Sequence, residues 1–398
     1  MKLNDLSVFI SCPKGIESLL LKEVQEITGI KAKEEYCGVD LRCTLEQLNE
    51  LIFSSRLASR IFLYLDNFFY RHENELYKRL KKIDWEQYQT VDQTFRCQCN
   101  FGRGVKLKNS QFVSLKLKDS IVDFFRAKYD KRPSVDKNMA SMPYYLRVEK
   151  SRAFLYLDCS GFPLSNRGYR VSKFSAPLRE NLAAALILST NWRSREKSCF
   201  IDGMCGSATA LIEAALIKLN IIPGYLNLPG IINKRVSYPL ANLKSMTGVQ
   251  TEIYSQLKMM DDKALDQLRK AKDAKVFMLG NDLSGKSLKS ARENVEASGL
   301  SKVLTLKKGD VTELIPAHHQ GTVFFCNPPY GQRLGEEEEL GELYYQIGEN
   351  LKQNFKDCDA YIFTANADLR KKISLKTSKR AIFHNGQLES RLLHYEIY

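Results

Sequence analysis

The chain has 398 residues, of which 44% are hydrophobic and 10% aromatic, and its formal net charge is +14. This composition excludes a disordered or collagen-like protein, and the length predicts two to three domains at about 150 residues each. The ten scattered cysteines favour reduced, mostly buried thiols over a disulfide scaffold or a metal site. Because no apolar run reaches the roughly 20 residues that cross a bilayer and no signal peptide is recognisable, we expect a cytoplasmic protein without a membrane partner.

Short strands and helices alternate over the first 160 residues. Strands are predicted over 6–11, 39–43 and 61–65, with helices over 16–27 and 45–54, which is typical of a ferredoxin-like α+β domain at 1–66. Helices over 73–81 and 113–128 and strands over 94–100, 144–149 and 152–158 follow. They predict a second α+β domain at 67–160.

Nearly all of the positive charge lies in one quarter of the chain, since residues 101–200 carry a net charge of +12. Aromatic residues are interspersed among these basic residues, and rings can stack on unpaired bases while Arg and Lys bind phosphates. The quarter therefore predicts a nucleic-acid partner. The basic residues expected to contact it are Arg103, Lys106, Lys108, Lys116 and Lys118, followed by Arg167 and Arg170.

The C-terminal part has a different pattern, after a linker and helix at 161–190. Short apolar strands at 199–202, 276–279, 303–307 and 322–326 alternate with helices at 208–219 and 285–298. This alternation predicts an α/β domain at 191–398 with a doubly wound parallel sheet. Residues 220–275 interrupt the pattern and are interpreted as an insertion of unknown role.

A small-residue turn follows the first of these strands. Asp202 ends the strand, and the turn has the sequence Gly203-Met204-Cys205-Gly206. The spacing departs from GxGxxG and no Walker lysine is present, so a phosphate site is disfavoured. A carboxylate here suits an ammonium or hydroxyl group, such as the amino-acid end of S-adenosylmethionine. The alternative is a plain strand-to-helix turn in which Asp202 caps the helix.

Two further acidic residues, Asp282 and Asp310, follow the next two strands. Asp282 could be a helix cap, but the carboxyl ends of parallel strands meet at one edge of a sheet. There Asp282 could accept ribose hydroxyls, and Asp310 would lie near an adenine ring. Together the three carboxylates predict a nucleoside-containing cofactor.

The fourth strand ends in Cys326-Asn327-Pro328-Pro329-Tyr330-Gly331. Two prolines supply no N–H, so the loop offers mainly acceptors and one ring. The Asn327 side-chain oxygen and the Pro328 carbonyl could accept both protons of a base's exocyclic amine, while the Tyr330 ring stacks on the flipped base. This interpretation uses the Tyr330 ring and not its hydroxyl. The alternative is an ordinary proline-rich turn.

These motifs resemble a family, the THUMP-domain ribosomal RNA guanine-N2 methyltransferases of the RlmL group. The similar stretches are 157–161 (LDCSG), 166–170 (NRGYR), 176–184 (APLRENLAA), 202–207 (DGMCGS), 212–215 (IEAA), 327–333 (NPPYGQR) and 385–389 (NGQLE). The sequence departs from the family at Gly203, where Pro is usual, and at Ala208, where Gly is usual.

The resemblance implies a ferredoxin-like domain, a THUMP RNA-binding domain and a Rossmann-like methyltransferase domain. It implies S-adenosylmethionine as the cofactor and a guanine N2 amine of large-subunit ribosomal RNA, or of its assembly intermediate, as the substrate. The residues expected to bind the cofactor are Asp202, Gly203, Met204, Cys205, Gly206, Asp282, Asp310 and Asn327. Those expected to act on the base are Asn327, Pro328 and Tyr330, with Arg333 contacting RNA. The alternatives are adenine N6 methylation, glutamine methylation of a protein, and a non-catalytic RNA-binding protein that keeps the fold.

Overall fold

The computed structural model describes residues 3–102, 104–172, 178–195, 199–228, 238–317, 321–331 and 337–398. The chain forms two compact units. The N-terminal unit comprises Met1–Cys12, Leu20–Leu164 and Leu228–Asp261, and the C-terminal unit comprises Pro13–Leu19, Ser165–Asn227 and Asp262–Tyr398. Part of the predicted insertion therefore belongs to the N-terminal unit.

The N-terminal unit is built on a seven-stranded sheet in the order β2-β3-β1-β4-β7-β6-β5. Its strands are β1 (Leu6–Ser11), β2 (Lys33–Glu35), β3 (Gly38–Cys43), β4 (Arg60–Phe69), β5 (Phe95–Phe101), β6 (Met142–Val148) and β7 (Arg152–Asp158). The helices of this part of the chain are α1 (Glu17–Thr28), α2 (Leu45–Ser54), α3 (Glu73–Leu80) and α4 (Ser110–Tyr129). The short strand β2 has no counterpart in the sequence prediction.

Strand β4 makes the sheet continuous. It pairs antiparallel with β1 on one side and with β7 on the other. The domain boundary predicted between residues 66 and 67 thus falls inside one strand. Ile61 and Leu63 of β4 project to one face of the sheet and Phe62 to the other, as the two-residue period of a strand requires, and all three are buried.

The insertion contributes α7 (Pro239–Asn242) and α8 (Gln250–Ala271). Its residues within the N-terminal unit have apolar anchors, since Leu240 and Met246 are fully buried. The ring of Tyr238 stacks on Phe53 at 6.3 Å, and its hydroxyl donates to Asn49. Residues 238–261 therefore complete the N-terminal core.

The C-terminal unit contains a second seven-stranded sheet in the order β10-β9-β8-β11-β12-β14-β13. Its strands are β8 (Cys199–Asp202), β9 (Phe277–Asp282), β10 (Leu304–Lys308), β11 (Val323–Cys326), β12 (Asp359–Thr364), β13 (Lys379–Asn385) and β14 (Leu388–Glu396). Its helices are α5 (Glu180–Leu188), α6 (Thr209–Lys218), α9 (Gly285–Ala297), α10 (Glu337–Asn354) and α11 (Leu369–Lys372).

Five strands of this sheet are parallel, and the antiparallel hairpin β13–β14 closes one side. The predicted doubly wound α/β class is confirmed. From β8 the chain first adds β9 and β10 on one side and then β11 and β12 on the other. The strand order therefore reverses between β8 and β11, and open α/β sheets bind ligands at the carboxyl ends of the strands at such a point.

The ten cysteines are free, and eight of them are buried. Burial raises the pKa of the Cys205 and Cys326 thiols well above the usual value, so both are neutral. Among the described residues, no cluster of three or more His, Cys, Asp and Glu side chains could hold a metal ion. No helix in the same ranges combines the length and apolarity required to span a bilayer.

Candidate functional site

The turn after β8 is closely packed at Gly203. A Cβ atom on Gly203 would lie 2.7 Å from the ring of Phe324, so a side chain there would clash with the core. The Gly203 N–H donates to the Phe325 carbonyl at 2.8 Å, and the Cys205 N–H donates to the Asn281 carbonyl at 2.8 Å. These bonds fix the turn at the carboxyl edges of β9 and β11.

Asp202, at the end of β8, is only 2% exposed. Within the described part of the chain, its Oδ1 atom is buried without a hydrogen-bond partner. Burial, followed by the nearby charge of Asp282, raises the pKa of this carboxyl from 3.8 to about 8. A buried carboxyl oxygen without a partner is costly, and a bound cationic group would compensate for that cost. Asp202 therefore fits the ammonium group of an amino-acid ligand.

Asp282 bridges two loops. Its Oδ2 accepts the N–H of Gly206 at 2.9 Å, and its Oδ1 accepts the N–H of Ser284 at 2.8 Å. A carboxylate has about four lone-pair directions, so these two bonds leave acceptor capacity for a ligand. Asp282 thus holds the turn after β8 in place. It is also one of the residues predicted to bind the cofactor.

Asn281 was not among the predicted site residues, although it joins three loops. Its side chain is fully buried, and its Nδ2 donates to the carbonyls of Gly203 at 3.1 Å and Gly309 at 3.0 Å. A Cβ atom on Gly309 would lie 2.9 Å from the Asn281 Oδ1. The sequence did contain a signal for this role, because Asn281 is a polar amide in an otherwise apolar strand and directly precedes Asp282.

Asp310 follows β10 and caps a single helical turn. Its Oδ1 accepts both the N–H of Thr312 at 2.9 Å and the Thr312 hydroxyl at 2.7 Å. The sequence analysis did not predict this capping role for Asp310. The register of β10 with β9 pairs Lys308 with Asp282, so Asp310 lies beyond the same sheet edge.

Ala208 occupies an unfavourable backbone conformation at the start of α6. Its φ is 65° and its ψ 23°, in the left-handed region, and its side chain is fully buried. This conformation costs a residue with a side chain about 1–2 kcal/mol. The finding explains in physical terms why the resembling family has glycine here.

The Asn-Pro-Pro-Tyr loop follows β11, which lies between β8 and β12. The Tyr330 hydroxyl donates to the Asn327 Oδ1 at 2.5 Å and also contacts the Asn385 side chain at the end of β13. Burial raises the pKa of Tyr330 to about 12, so the hydroxyl keeps its proton. The sequence interpretation used only the ring of Tyr330, whereas the structure also places its hydroxyl in contact with the proposed acceptor. Asn366 supports the loop by donating to the Tyr330 carbonyl at 3.2 Å.

Arg167 does not lie on an RNA-accessible surface, which corrects the prediction for this residue, and the side chain of Arg170 is largely buried. Arg167 is 1% exposed, with its Nε 3.5 Å from the Oε1 of the equally buried Glu213. The Arg170 Nε donates to Glu180 at 2.8 Å. Buried carboxylates need cationic partners, and these arginines meet that need inside the C-terminal unit.

Other predicted RNA contacts remain on the surface. Lys106 and Lys108 are exposed near the start of α4. The Lys116 Nζ lies 4.8 Å from the centre of the Tyr77 ring, in a cation–π contact. Arg103 and Arg333 lie outside the described residues, as do residues 176–177 and 332–333 of the resembling stretches.

Comparison with known proteins gives a match for each part of the chain. Residues 7–62 match the RlmL ferredoxin-like domain, residues 70–158 the THUMP domain, and residues 167–394 the RMKL-like methyltransferase domain. The ribosomal RNA large subunit methyltransferase K/L of Syntrophotalea carbinolica is 33% identical over 98% of this chain and 54% of that protein. The chain thus spans about half the length of the curated relatives it matches.

Two solved structures cover the whole chain. A possible methylase from Clostridium difficile 630 has a TM-score of 0.82 and 25% identity, covering 99% of both chains. SMU.472 in complex with SAH has a TM-score of 0.79 and 26% identity, covering 100% of this chain and 99% of that one. Since the methyltransferase-domain match extends over more than half of the chain, the chain belongs to the family of RMKL-like methyltransferase domains.

Proposed function

We propose that the chain is an S-adenosylmethionine-dependent methyltransferase that modifies the exocyclic N2 amine of a guanine in large-subunit ribosomal RNA. The observation that carries the proposal is the buried carboxyl oxygen of Asp202, which has no hydrogen-bond partner among the described residues and lies one strand away from the acceptors of the Asn-Pro-Pro-Tyr loop. The names of the K/L relatives support ribosomal RNA as the substrate. The SAH complex of SMU.472 supports the cofactor.

The residues around the β8 turn fit this cofactor. The Asp202 carboxylate would pair with the ammonium group, and the backbone of residues 203–206 would line the amino-acid end. Asp282 would accept ribose hydroxyls with its remaining lone pairs, and Asp310 would lie near the base. When bound, S-adenosylmethionine supplies an electrophilic methyl group on a positively charged sulfur.

The loop after β11 would orient the target amine. Its lone pair is delocalised into the base, so the amine is a poor nucleophile until its protons are held. The Asn327 Oδ1 and the Pro328 carbonyl would each accept a hydrogen bond from the amine and turn its lone pair toward the methyl group. The new N–C bond would leave one excess proton on the nitrogen, and that proton would be released to water. Tyr330 holds the Asn327 amide through its hydroxyl. Catalysis would depend on positioning rather than on a strong base.

The N-terminal unit would bind the RNA. The exposed Lys106 and Lys108 belong to the stretch with the highest positive charge. A protein substrate would not need a phosphate-binding surface, so this charge favours RNA over a glutamine in a protein.

Mass mapping of ribosomal RNA nucleosides after incubation with the chain and S-adenosylmethionine tests the proposal. We expect one new N2-methylguanosine. N6-methyladenosine instead would show that the base assignment is wrong, and the absence of any methylated nucleoside would contradict the enzyme.

The variant Asn327→Ala tests the proposed loop chemistry. It should lower the single-turnover rate about 100-fold or more, the scale of one preorganised polar contact. RNA and cofactor affinities should change little, because the contact is made fully only as the methyl moves. Asn354→Ala, on α10, serves as the matched control. A wild-type rate in Asn327→Ala would show that the loop is structural.

A further inference from the structure

One face of the N-terminal sheet carries aromatic rings where polar side chains are usual. Residues that pair directly across neighbouring strands project from the same face. Phe9 pairs with Phe62, Tyr64 pairs with Tyr156, and Tyr156 pairs with Tyr145. We call this surface the aromatic face, and its rings are Phe9, Phe62, Tyr64, Tyr145, Phe154 and Tyr156.

The opposite face of the sheet has a different composition. There the alternate positions carry mainly aliphatic side chains with exposures of 0–2%, including Val8, Ile10, Leu63, Leu155 and Leu157. An antiparallel sheet with one buried face normally exposes polar residues on the other. The aromatic residues that remain partly exposed on the second face therefore call for a binding role.

The rings form two levels. Phe9, Phe62 and Tyr156 are buried, and Tyr64, Tyr145 and Phe154 pack against them while remaining partly exposed. The Tyr145 ring lies nearly parallel to Phe62, with the centroids 4.2 Å apart. The inner rings thus support a rigid outer set of three rings.

Arginine side chains lie among these rings. The Arg147 guanidinium lies 4.7 Å from the centre of the Phe9 ring. The Arg152 guanidinium lies 5.4 Å from the centre of the Phe154 ring and 4.8 Å from the centre of the Phe69 ring. Phe69 is 62% exposed. In the described part of the chain, Arg152 has no carboxylate partner, and its Nε donates to the Asn67 amide oxygen at 2.7 Å. Its terminal N–H groups can therefore bind phosphate.

From this arrangement we infer that the aromatic face binds unpaired nucleotides of RNA. Bases of any sequence stack on aromatic rings, and an arginine beside the rings can contact a backbone phosphate. Because Arg147 is paired with Glu149 at 3.0 Å, Arg152 supplies this contact. Paired bases in a duplex present no free faces, so the surface selects single-stranded segments. This surface is distinct from the lysines near α4 and shares with the proposed function only its RNA partner.

The test is the equilibrium binding of a 12-nucleotide single-stranded RNA that carries one 2-aminopurine, measured without cofactor. Stacking quenches the 2-aminopurine fluorescence, so this probe reports the contact directly. Phe154→Ala should weaken binding about 5- to 150-fold, the range for one stacked base. Phe154→Tyr keeps a ring and should bind as the wild type does. Tyr254→Ala removes a 58% exposed ring on α8 and is the matched control.

Two further measurements separate stacking from charge. Affinity for the same strand annealed to its complement should be unchanged in Phe154→Ala. Arg152→Gln should reduce the salt dependence of single-strand binding by about 0.7 in slope, the value for one phosphate contact. Thermal unfolding confirms that each variant is folded.

Unchanged single-strand affinity in folded Phe154→Ala would overturn the inference and leave the face as a protein-docking surface. Equal losses for single-strand and duplex RNA would also overturn it. A wild-type protein that binds the single strand but transfers no methyl group to ribosomal RNA would instead contradict the proposed function, so the two failures are distinguishable.

Discussion

Replacing Asp202 with asparagine should stabilise the unliganded protein while weakening cofactor binding. Burial raises the pKa of this carboxyl from 3.8 to about 8. At pH 7 the folded state therefore holds a proton that the unfolded chain has released, which costs about 4 kcal/mol at 1.36 kcal/mol per pH unit. Asparagine does not titrate and so avoids this protonation cost. Its buried amide needs hydrogen-bond partners, however, and leaving it without them costs about 1–3 kcal/mol. The net expectation is about 1–3 kcal/mol of added stability in Asp202→Asn.

The raised pKa of Asp202 also predicts how the stability of the wild type changes with pH. A raised pKa in the folded state means that wild-type stability is highest below about pH 4 and falls as the pH rises to about 8. The stability difference between Asp202→Asn and the wild type should therefore grow over this window. Differential scanning calorimetry should show a Tm higher by about 2–10 °C at pH 7 for the transition that responds to S-adenosylhomocysteine.

Cofactor affinity of the same variant provides the second half of the test. Titration calorimetry should show weaker S-adenosylmethionine binding by Asp202→Asn, because the ammonium group loses its counter-charge. The ammonium group pairs with the charged form of Asp202. Wild-type affinity for the cofactor should therefore rise about tenfold from pH 6 to 7, because a larger fraction of this carboxyl is then deprotonated before binding. A variant that is less stable at every pH, or that binds cofactor normally, would refute the assignment of Asp202.

Three further predictions concern the turn, the loop and the basic surface. Ala208→Gly should relieve the left-handed strain and raise the free energy of unfolding in urea by about 0.5–1 kcal/mol, since glycine's entropy offsets part of the gain; a loss of stability would contradict the strain. Tyr330→Phe should slow methyl transfer about 3- to 10-fold, the scale of one hydrogen bond to Asn327, with RNA affinity unchanged; a wild-type single-turnover rate would show that the hydroxyl is dispensable. Lys106→Glu combined with Lys108→Glu should weaken RNA binding and flatten its salt dependence while cofactor affinity stays constant; an unaltered slope would place the phosphate contacts elsewhere.

Local patterns in the sequence were enough to predict the class of the C-terminal fold and four of its seven strands, and they placed the candidate site residues at one edge of the sheet. Short apolar runs alternating with helices imply a parallel sheet, and the four predicted strands correspond to β8, β9, β10 and β11. The carboxyl ends of such strands share one edge, so Asp202, Asp282 and Asn327 could be grouped without coordinates. The helix α2 was predicted with the residues it has, because its apolar period and Thr44 cap are both local.

Contacts between distant parts of the chain could not be predicted in this way. The basic residues Arg167 and Lys106 carry the same charge in the sequence, yet Arg167 is buried against Glu213, while Lys106 is exposed. Likewise, the Tyr330 hydroxyl meets Asn385 only because the β13–β14 hairpin joins the sheet.

The sequence by itself determined the types of the main secondary-structure elements, the parallel C-terminal sheet and the edge at which the site residues gather, because these follow from local periodicity. Only the tertiary structure decided that β4 joins two predicted domains into one sheet and that the insertion completes the N-terminal core. It also decided that six rings share one face, because strand register sets which side chains are neighbours. Register and burial arise from pairing between distant segments, and neither the period nor the charge of a segment specifies its partner.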